Sequence, residues 1–146
     1  MVSEIKIRKA SKKDLKEIAE ILRIELSKKP YYEKWNENSS LEKVKSYFKD
    51  LLYVAEFEDN IVGFIAFRFY SWDVGFWGWI DELLISNNFR NKGVGDFLLK
   101  KAEEVLKQNK VENVSLLFHN GFSKYNLFEK NNFKQGAYVY LVKKLK

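Results

Sequence analysis

Residues 90–95 read Arg-Asn-Lys-Gly-Val-Gly, a spacing of charged residues and glycines that suits a phosphate group. An apolar run at 80–85 precedes them, and a helical apolar pattern begins directly after them. The first turn of a helix has unpaired N–H groups and a partial positive charge, and both favour an anion. The two glycines lack a Cβ and would let a ligand approach the backbone, while the arginine and lysine add cationic donors. The sequence therefore predicts a pyrophosphate-binding turn between a strand and a helix.

Two familiar phosphate-binding loops do not fit this turn. The Walker pattern requires Lys-Ser or Lys-Thr after its second glycine, and neither glycine here is followed by that pair. The dinucleotide fingerprint needs three glycines in a different order. The segment instead resembles the acetyl-CoA signature of the GNAT superfamily of N-acetyltransferases, which is Arg/Gln-x-x-Gly-x-Gly/Ala after a strand ending in Leu-x-Val/Ile. The matching residues are Leu83-Leu84-Ile85, then Arg90 to Gly95, then Leu98-Leu99.

Apolar periodicity around the turn predicts six strands and four helices. The predicted strands are Glu4–Arg8, Leu52–Glu58, Ile61–Tyr70, Trp77–Ile85, Val114–Phe118 and Ala137–Leu145. The predicted helices are one capped by Ser11 and ended by Pro30, one beginning near Ser39 or Ser40, one running to about Asn109, and Ser123–Lys130. Asp59-Asn60 is a hairpin signal. The resemblance implies an α/β (α+β) GNAT-like fold, with a mixed, mostly antiparallel sheet of about six to seven strands, about four flanking helices and one splayed strand pair.

The resemblance also implies how the chain would bind CoA. In the family, the strand before the signature bulges and splays from its neighbour, and pantetheine hydrogen-bonds into the gap. Carried over, the main-chain groups of Leu83 and Ile85 hold pantetheine, and the Leu84 N–H stabilises the developing oxyanion. The residues whose amides would hold the pyrophosphate are Arg90, Asn91, Lys92, Gly93, Val94, Gly95 and Asp96. Asn120 resembles a family asparagine that hydrogen-bonds CoA, although it is one position out of register relative to Phe128, a further CoA-binding candidate.

Attack of an amine on a thioester needs a base for the amine and benefits from an acid for the thiolate. In the family a Tyr near the end of the last helix commonly supplies this proton, in a pattern like Tyr-Glu-Lys-x-Gly-Phe. The corresponding run at 128–133 begins with Phe128, which has no proton to give. Tyr125 lies three residues earlier, on the same helical face, and is the candidate substitute. A packing role for Tyr125, or a reaction without a dedicated acid, stays open.

The base candidates are Asp81 and Glu82, two consecutive acids beside the expected cleft. Consecutive strand residues point to opposite faces, so regular pleating brings at most one of them to the substrate, unless the expected bulge resets the register. Their alternative role is that of solvated or salt-bridged surface charges. His119 is the single histidine and follows the next strand, where it could titrate near neutrality or serve as an ordinary polar loop residue.

Aromatic residues gather in two segments that border the acceptor channel in GNAT folds. The segments are Tyr31/Tyr32/Trp35 and Tyr70/Trp72/Phe76/Trp77/Trp79, and the candidate substrate contacts among them are Tyr31, Trp35, Trp72 and Trp77. Aromatic faces beside acidic residues suit a cationic amine. The strand around Ile80-Asp81-Glu82-Leu83 also resembles the diamine (spermidine/spermine) acetyltransferase branch. The sequence thus favours a small primary amine or polyamine as acceptor; a peptide N-terminus or a lysine stays open, as does simple core packing of these rings.

Composition sets the remaining limits. A chain of 146 residues with 46% hydrophobic residues and no internal repeat fits one domain, residues 1–146. The chain has no cysteine, which excludes disulfides and a thiol nucleophile and fits the cytoplasm. We see no signal-peptide core, no apolar run of membrane-spanning length and no metal signature. The net charge of +6 suits the polyanion CoA.

Other functional classes follow from the same composition. A basic, aromatic-rich domain could bind nucleic acid, but the basic residues are scattered and no RNA-binding or helix-turn-helix signature occurs. An acetyl-CoA-binding protein without catalysis is a third class, suggested by Phe128. Aromatic residues at 69–79 could also line a homodimer interface.

Overall fold

A computed structural model of the chain describes residues 4–119 and 125–146. Its strands are β1 Lys6–Lys9, β2 Leu51–Phe57, β3 Asn60–Trp72, β4 Gly75–Ile85 and β5 Val111–Leu116. Its helices are α1 Leu15–Leu26, α2 Glu37–Phe48, α3 Val94–Gln108 and α4 Tyr125–Lys130, with short 3₁₀ turns at Lys12–Asp14 and Asn87–Phe89. This order confirms the predicted α/β fold apart from its last strand.

The described strands form one sheet in the order β1-β2-β3-β4-β5. The first four strands are antiparallel, whereas β5 is parallel to β4 because the long helix α3 carries the chain back across the sheet. The hairpin between β2 and β3 turns at Glu58 and Asp59, whose φ angles of 48° and 65° are typical of a two-residue hairpin turn. The turn therefore lies one residue earlier than the predicted Asp59-Asn60 pair.

Helices cover both faces of the sheet and create two cores. On one face, α1 and α2 bury an apolar cluster that includes Leu22, Val44, Phe64 and Leu84. On the other face, α3 and α4 bury a second cluster that includes Ile65, Leu83, Leu98 and Phe128. Neighbouring residues of the central strands alternate between the two clusters, as expected for strands covered on both sides. This alternation fixes which side chains of β4 can reach each face.

Two predicted helix starts can be compared with local capping. The main-chain N–H of Ser11 donates to Asp14 Oδ2 at 2.8 Å, which confirms the predicted link between these residues. The second helix begins at Glu37, earlier than predicted, because Asn36 caps it: Asn36 Oδ1 accepts from the Ser39 N–H at 2.8 Å.

The predicted strand count was too high. The sheet of the described residues has five strands, and Ala137–Leu145 does not join it. The apolar side chains of this segment are exposed, because the segment pairs with no strand of its own chain among the described residues. β5 is also displaced, starting and ending earlier than the predicted Val114–Phe118. No helix among the described residues has the length and apolar character needed to cross a membrane.

Candidate active site

An opening in the sheet lies between β4 and β5. The two strands pair from Phe76 with Val111 to Ile80 with Leu116. β5 then ends, while β4 continues to Ile85. The last five residues of β4 therefore border a gap on the side where β5 would otherwise continue. This is the splayed strand pair that the sequence predicted.

A β-bulge in β4 lies at the edge of this gap. Ala66 of β3 pairs with Glu82, but Phe67 pairs with Ile80, so Asp81 is an extra residue in β4. Phe67 is buried in the α3-side core, so the next residue, Arg68, points to the other face of the sheet, the α1/α2 face. The Arg68 Nε atom donates to both Asp81 carboxylate oxygens at 3.1–3.2 Å, which places Asp81 on the α1/α2 face.

The second carboxylate, Glu82, lies on the same face. It is opposite Ala66, a member of the α1/α2-side core, and the Tyr47 hydroxyl donates to Glu82 Oε1 at 3.3 Å. Regular pleating would have allowed only one of the two acids to reach this face, and the bulge at Asp81 removes that restriction. Both acids are therefore close to one another and to the mouth of the gap.

Two tyrosines surround Glu82. Burial, followed by the charges of Glu82 and Asp81, raises the pKa of Tyr47 well above its ordinary value. Burial and the charge of Glu82 raise the pKa of Tyr31 to about 12. Both phenols therefore remain protonated donors at neutral pH. The ring of His119 stands edge-on to Tyr31, with centroids 5.9 Å apart, so the residues after β5 also reach this cluster.

Tyr47 was missed by the sequence analysis, although a signal was available. It follows Val44 at a spacing of three residues on α2, and both side chains face the core. A tyrosine on a buried helical face needs a partner for its hydroxyl, and that requirement points to a nearby polar group.

The glycine-containing turn carries the chain from β4 into α3. Asn91 and Gly93 have φ angles of 60° and 84°. A Cβ at Gly93 would have no atom within 4 Å, so the space above it is open. A Cβ at Gly95 would instead lie 3.0 Å from the Leu127 side chain of α4. Gly93 therefore serves conformation and access, whereas Gly95 serves the packing of α4 on α3.

Arg90 anchors the turn to helix α1. Its Nη2 atom donates to Glu25, a carboxylate that is only 4% exposed, and its Nε atom donates to the Ile85 carbonyl at 3.4 Å. Lys28 Nζ also lies 3.2 Å from Glu25. The pattern at 90–95 predicts a cationic phosphate donor at Arg90. In the structure its guanidinium is hydrogen-bonded to Glu25 of α1 and to the main chain of β4. Lys92 is exposed beside the turn.

Asp96 joins the start of α3 to α4. It accepts from Asn131 at 2.9 Å, and Lys130 Nζ lies 2.8 Å from its other oxygen. Burial is the largest single influence on the Asp96 pKa and raises it, but the hydrogen bonds and charge of Lys130 together with Asn131 outweigh it and lower the pKa. Neutralisation by Lys130 keeps this carboxylate compatible with an anion at the α3 N-terminus.

Comparison with known proteins now decides the family. Residues 16–133 match the acetyltransferase (GNAT) family. The chain belongs to the GNAT family. An uncharacterised N-acetyltransferase of Chlorobaculum tepidum is 34% identical over 100 residues, which cover 66% of this chain and 62% of that protein's length.

Two solved structures share this GNAT fold over nearly their whole length. A possible acetyltransferase from Clostridium difficile 630 superposes with a TM-score of 0.81 at 19% identity, over 97% of this chain and 98% of the other. The aminoglycoside N-acetyltransferase AAC(6′)-Iy in complex with CoA superposes with a TM-score of 0.78 at 12% identity, over 97% and 95% of the two chains. At these identities the similarity concerns the fold.

Several predicted GNAT site residues lie away from Glu82. Phe128 is 4% exposed and packs between Phe118 and Phe133 in the α3-side core, with ring centroids 6.2 and 5.6 Å away. Trp77 is five residues before Glu82 on the same strand, roughly 17 Å away, and its Nε1 donates to Ser115 of β5 at 2.7 Å.

The remaining predicted site residues lie in several parts of the chain. Trp72 packs edge-on against Trp77, with centroids 6.2 Å apart, at the far end of the β3–β4 hairpin. Trp35 packs on the α1/α2-side core, and its Nε1 donates to Glu33 at 2.7 Å. Asn120 lies outside the described residues. Tyr125 begins α4, but its side chain also lies outside them.

Acetyl-CoA fits the described features of this site. The side chains of Leu83, Leu84 and Ile85 are buried, which leaves main-chain groups as the part of β4 that can face the gap. The turn offers open space above Gly93 and the first amides of α3, from Val94 onward. No group of metal-binding residues occurs among the described residues. The GNAT family uses acetyl-CoA, and this gap and turn are where the chain could hold it.

Proposed function

We propose that this protein transfers an acetyl group from acetyl-CoA to a small cationic amine, with Glu82 as the general base. One observation carries the proposal: the bulge at Asp81 puts both carboxylates on the α1/α2 face of β4 beside the gap, where Tyr47 donates to Glu82 and the charge of Glu82 raises the pKa of Tyr31. A carboxylate beside aromatic rings binds an ammonium group and can then accept its proton.

The co-substrate would be held mostly by the main chain. We assign the pantetheine arm to the backbone groups of Leu83 and Ile85, and the pyrophosphate to the amides of residues 90–96. Acetyl-CoA supplies an activated acetyl thioester when bound. The Leu84 N–H is the proposed donor to the oxyanion that forms at the carbonyl of that thioester.

The chemical step needs one proton acceptor and tolerates a weak proton donor. Glu82 takes a proton from the ammonium group of the acceptor, directly or through one water, and the neutral nitrogen attacks the carbonyl carbon. A C–N bond forms, the C–S bond breaks and the sulfur leaves with the electron pair, while the nitrogen gives up a second proton that balances the one delivered to the sulfur. A thiol has an ordinary pKa of about 8.5, so its thiolate is a fair leaving group. Tyr125 remains the proposed acid that protonates it.

The two acids have different proposed duties. Arg68 already neutralises Asp81 through two hydrogen bonds, so Asp81 contributes less free negative charge. Glu82 accepts a 3.3 Å hydrogen bond from the neutral Tyr47 hydroxyl, and its charge raises the pKa of Tyr31. Glu82 is therefore the stronger candidate for the base, and Asp81, whose charge is shared with Arg68, for a weaker second ammonium contact.

The acceptor class follows from this charge pattern. Glu33 is a third carboxylate that raises the pKa of both Tyr31 and Tyr47. Three carboxylates near these tyrosines therefore face two arginines, Arg68 on Asp81 and Arg90, whose charge lowers the pKa of Tyr31. A monoamine would need one carboxylate, whereas a diamine or polyamine would use two. We propose a polyamine or diamine as the preferred acceptor. The proposed location is the cytoplasm, because a chain without cysteine fits a reducing compartment.

A titration followed by turnover tests this function. Calorimetric titration with acetyl-CoA is expected to show one site per chain, and a free-thiol assay should then show release with diamines exceeding that with a monoamine of equal length. Glu82→Gln should lower kcat/KM by about 10²-fold or more, the usual effect of losing a general base. The control Glu104→Gln, at an exposed position of α3, should leave it unchanged.

The outcomes separate the candidates. Turnover of peptides but not of amines would replace the acceptor assignment with a peptide N-terminus or lysine. Binding without release on any acceptor would support the second candidate, an acetyl-CoA-binding protein without catalysis. That candidate is favoured by Phe128, which stands where the family commonly has its proton-donating tyrosine and is buried in the core.

A further inference from the structure

The C-terminal tail, residues 137–145, carries an unusual apolar surface. The side chains of Tyr138, Val139, Tyr140, Leu141 and Val142 are between 69% and 90% exposed. Five consecutive large apolar residues exposed to water form a patch that monomeric soluble proteins rarely present. This tail therefore requires a partner.

The pattern of the tail is that of an inner strand of a sheet. Tyr138, Tyr140 and Val142 would lie on one side of an extended chain, and Val139 and Leu141 on the other. Apolar residues on both sides are typical of a strand that is covered on both faces rather than of a half-exposed edge. Two-sided cover is what the helices of this domain provide for its sheet.

A place for such a strand is open on the same sheet. β5 is the last strand in the order and pairs with β4 alone among the described strands. An outer strand edge presents main-chain N–H and C=O groups that can pair with another chain. β5 has six residues, and the nine residues of the tail are long enough to cover it. Each chain therefore offers one unpaired tail and one open edge.

We infer that two copies of this protein form a two-fold dimer in which the tail of each copy pairs with β5 of the other. A second copy satisfies both needs of each chain at once, and the reciprocal exchange closes the assembly. The tail also carries Lys143 and Lys144, whose positive charge opposes further strand pairing beyond the dimer. β5 leads toward His119, so the added strand would border the cluster around Tyr31.

Size measurement and one proline substitution test the dimer. Light scattering after size exclusion should give twice the chain mass of 17.4 kDa. Tyr140→Pro removes a main-chain N–H from the middle of the tail and should raise the dimer Kd at least about tenfold. Gln135→Pro, at an exposed position two residues before the tail, is the matched control and should leave the Kd unchanged. Circular dichroism and acetyl-CoA titration check that both variants keep the fold and the acetyl-CoA site. Neither should change, because the fold and the site are each formed by a single chain.

Cross-linking identifies the occupant of the β5 edge, because the native chain has no cysteine. Proteins with Asn113→Cys in β5 and proteins with a single cysteine at one of positions 138–142 are unfolded together, refolded and oxidised. Disulfide-linked pairs of the two proteins are expected, and none with the control Glu20→Cys on α1. A wild-type monomer at all concentrations, a dimer Kd that Tyr140→Pro leaves unchanged, or a doubly substituted chain that cross-links only within itself would each overturn the inference.

Discussion

The ion pair between Glu25 and Arg90 gives the sharpest test of how the turn is held. Glu25 is buried in the last turn of α1, and Arg90, 65 residues later, is one-third exposed at the start of the turn. Lys28 is the second cation on Glu25, but its own side chain is 43% exposed. We consider the substitutions Glu25→Gln and Arg90→Gln and the variant that combines them.

The two single substitutions should lower the free energy of unfolding by different amounts. Removing one partner of a buried ion pair costs about 3–5 kcal/mol when the remaining charge stays buried. Arg90→Gln leaves the Glu25 carboxylate buried with only Lys28, so we expect a loss of about 3 kcal/mol. Glu25→Gln leaves a guanidinium that water can reach and an amide oxygen that can still accept its hydrogen bond, so about 1–2 kcal/mol is expected. The combined variant should lose less than the sum, because both changes remove the same contact.

Urea unfolding measures these losses, and calorimetric titration with acetyl-CoA measures their effect on the turn. If Arg90 acts as an anchor, both substitutions disorder the turn and weaken acetyl-CoA binding. The Kd should rise about tenfold for each 1.4 kcal/mol of binding free energy that is lost. If Arg90 instead donates to the phosphates, Arg90→Gln weakens binding while Glu25→Gln leaves it unchanged or strengthens it. The control Glu20→Gln breaks an exposed pair with Arg23 on the same helix and should cost less than about 1 kcal/mol. Unchanged stability and affinity in Glu25→Gln would refute the anchoring role.

Three further predictions follow from contacts described above. Gly93→Ala places a Cβ at φ 84° and should cost roughly 1–2 kcal/mol and weaken acetyl-CoA binding, whereas Gly95→Ala should disturb only the packing of Leu127; equal effects on affinity in calorimetry would contradict this division. Tyr47→Phe removes a donor to the proposed base and should lower the acceptor kcat/KM roughly 2- to 10-fold with the acetyl-CoA Kd unchanged. Arg8 donates to the two carboxylate oxygens of Asp14 at 2.8 and 3.0 Å, and these hydrogen bonds lower the pKa of Asp14 from 3.8 to about 2. This carboxylate therefore contributes about 2 kcal/mol of stability above pH 4, and the contribution is lost as the pH falls through about 2. The difference in unfolding free energy between wild type and Asp14→Asn should therefore shrink over that pH range, and a constant difference would disprove the linkage.

Local signals carried most of the sequence-based prediction, and non-local contacts account for its failures. The turn at 90–95 and the helices beside it depend on neighbouring residues, and the structure confirms them. Glu25 gave no signal, because its partner is distant in the chain and a glutamate on a helix is ordinarily solvated. The bulge in β4 could not be read either, since it exists only as a difference in pairing with β3.

The prediction of a last strand was wrong for a related reason. Ala137–Leu145 has the composition of a strand, but composition does not decide pairing, and this segment pairs with none of the described strands of its own chain. The packing of Phe128 between two other phenylalanines was also not predicted from the sequence. Its contact with CoA stays a prediction.

The pairing around Asp81 separates the requirements of the fold from those of the chemistry. Glu82 and Ile80 already face opposite sides, as consecutive residues of a regular strand would, so the sheet reads continuously if Asp81 is skipped. Deletion of that single codon would leave every other β4 side chain on its present face. It would straighten the strand beside the gap and remove one of the two acids. The domain can thus gain or lose the second proposed ammonium contact by the insertion or deletion of one residue, while the proposed base Glu82 keeps its face and the core keeps its sequence.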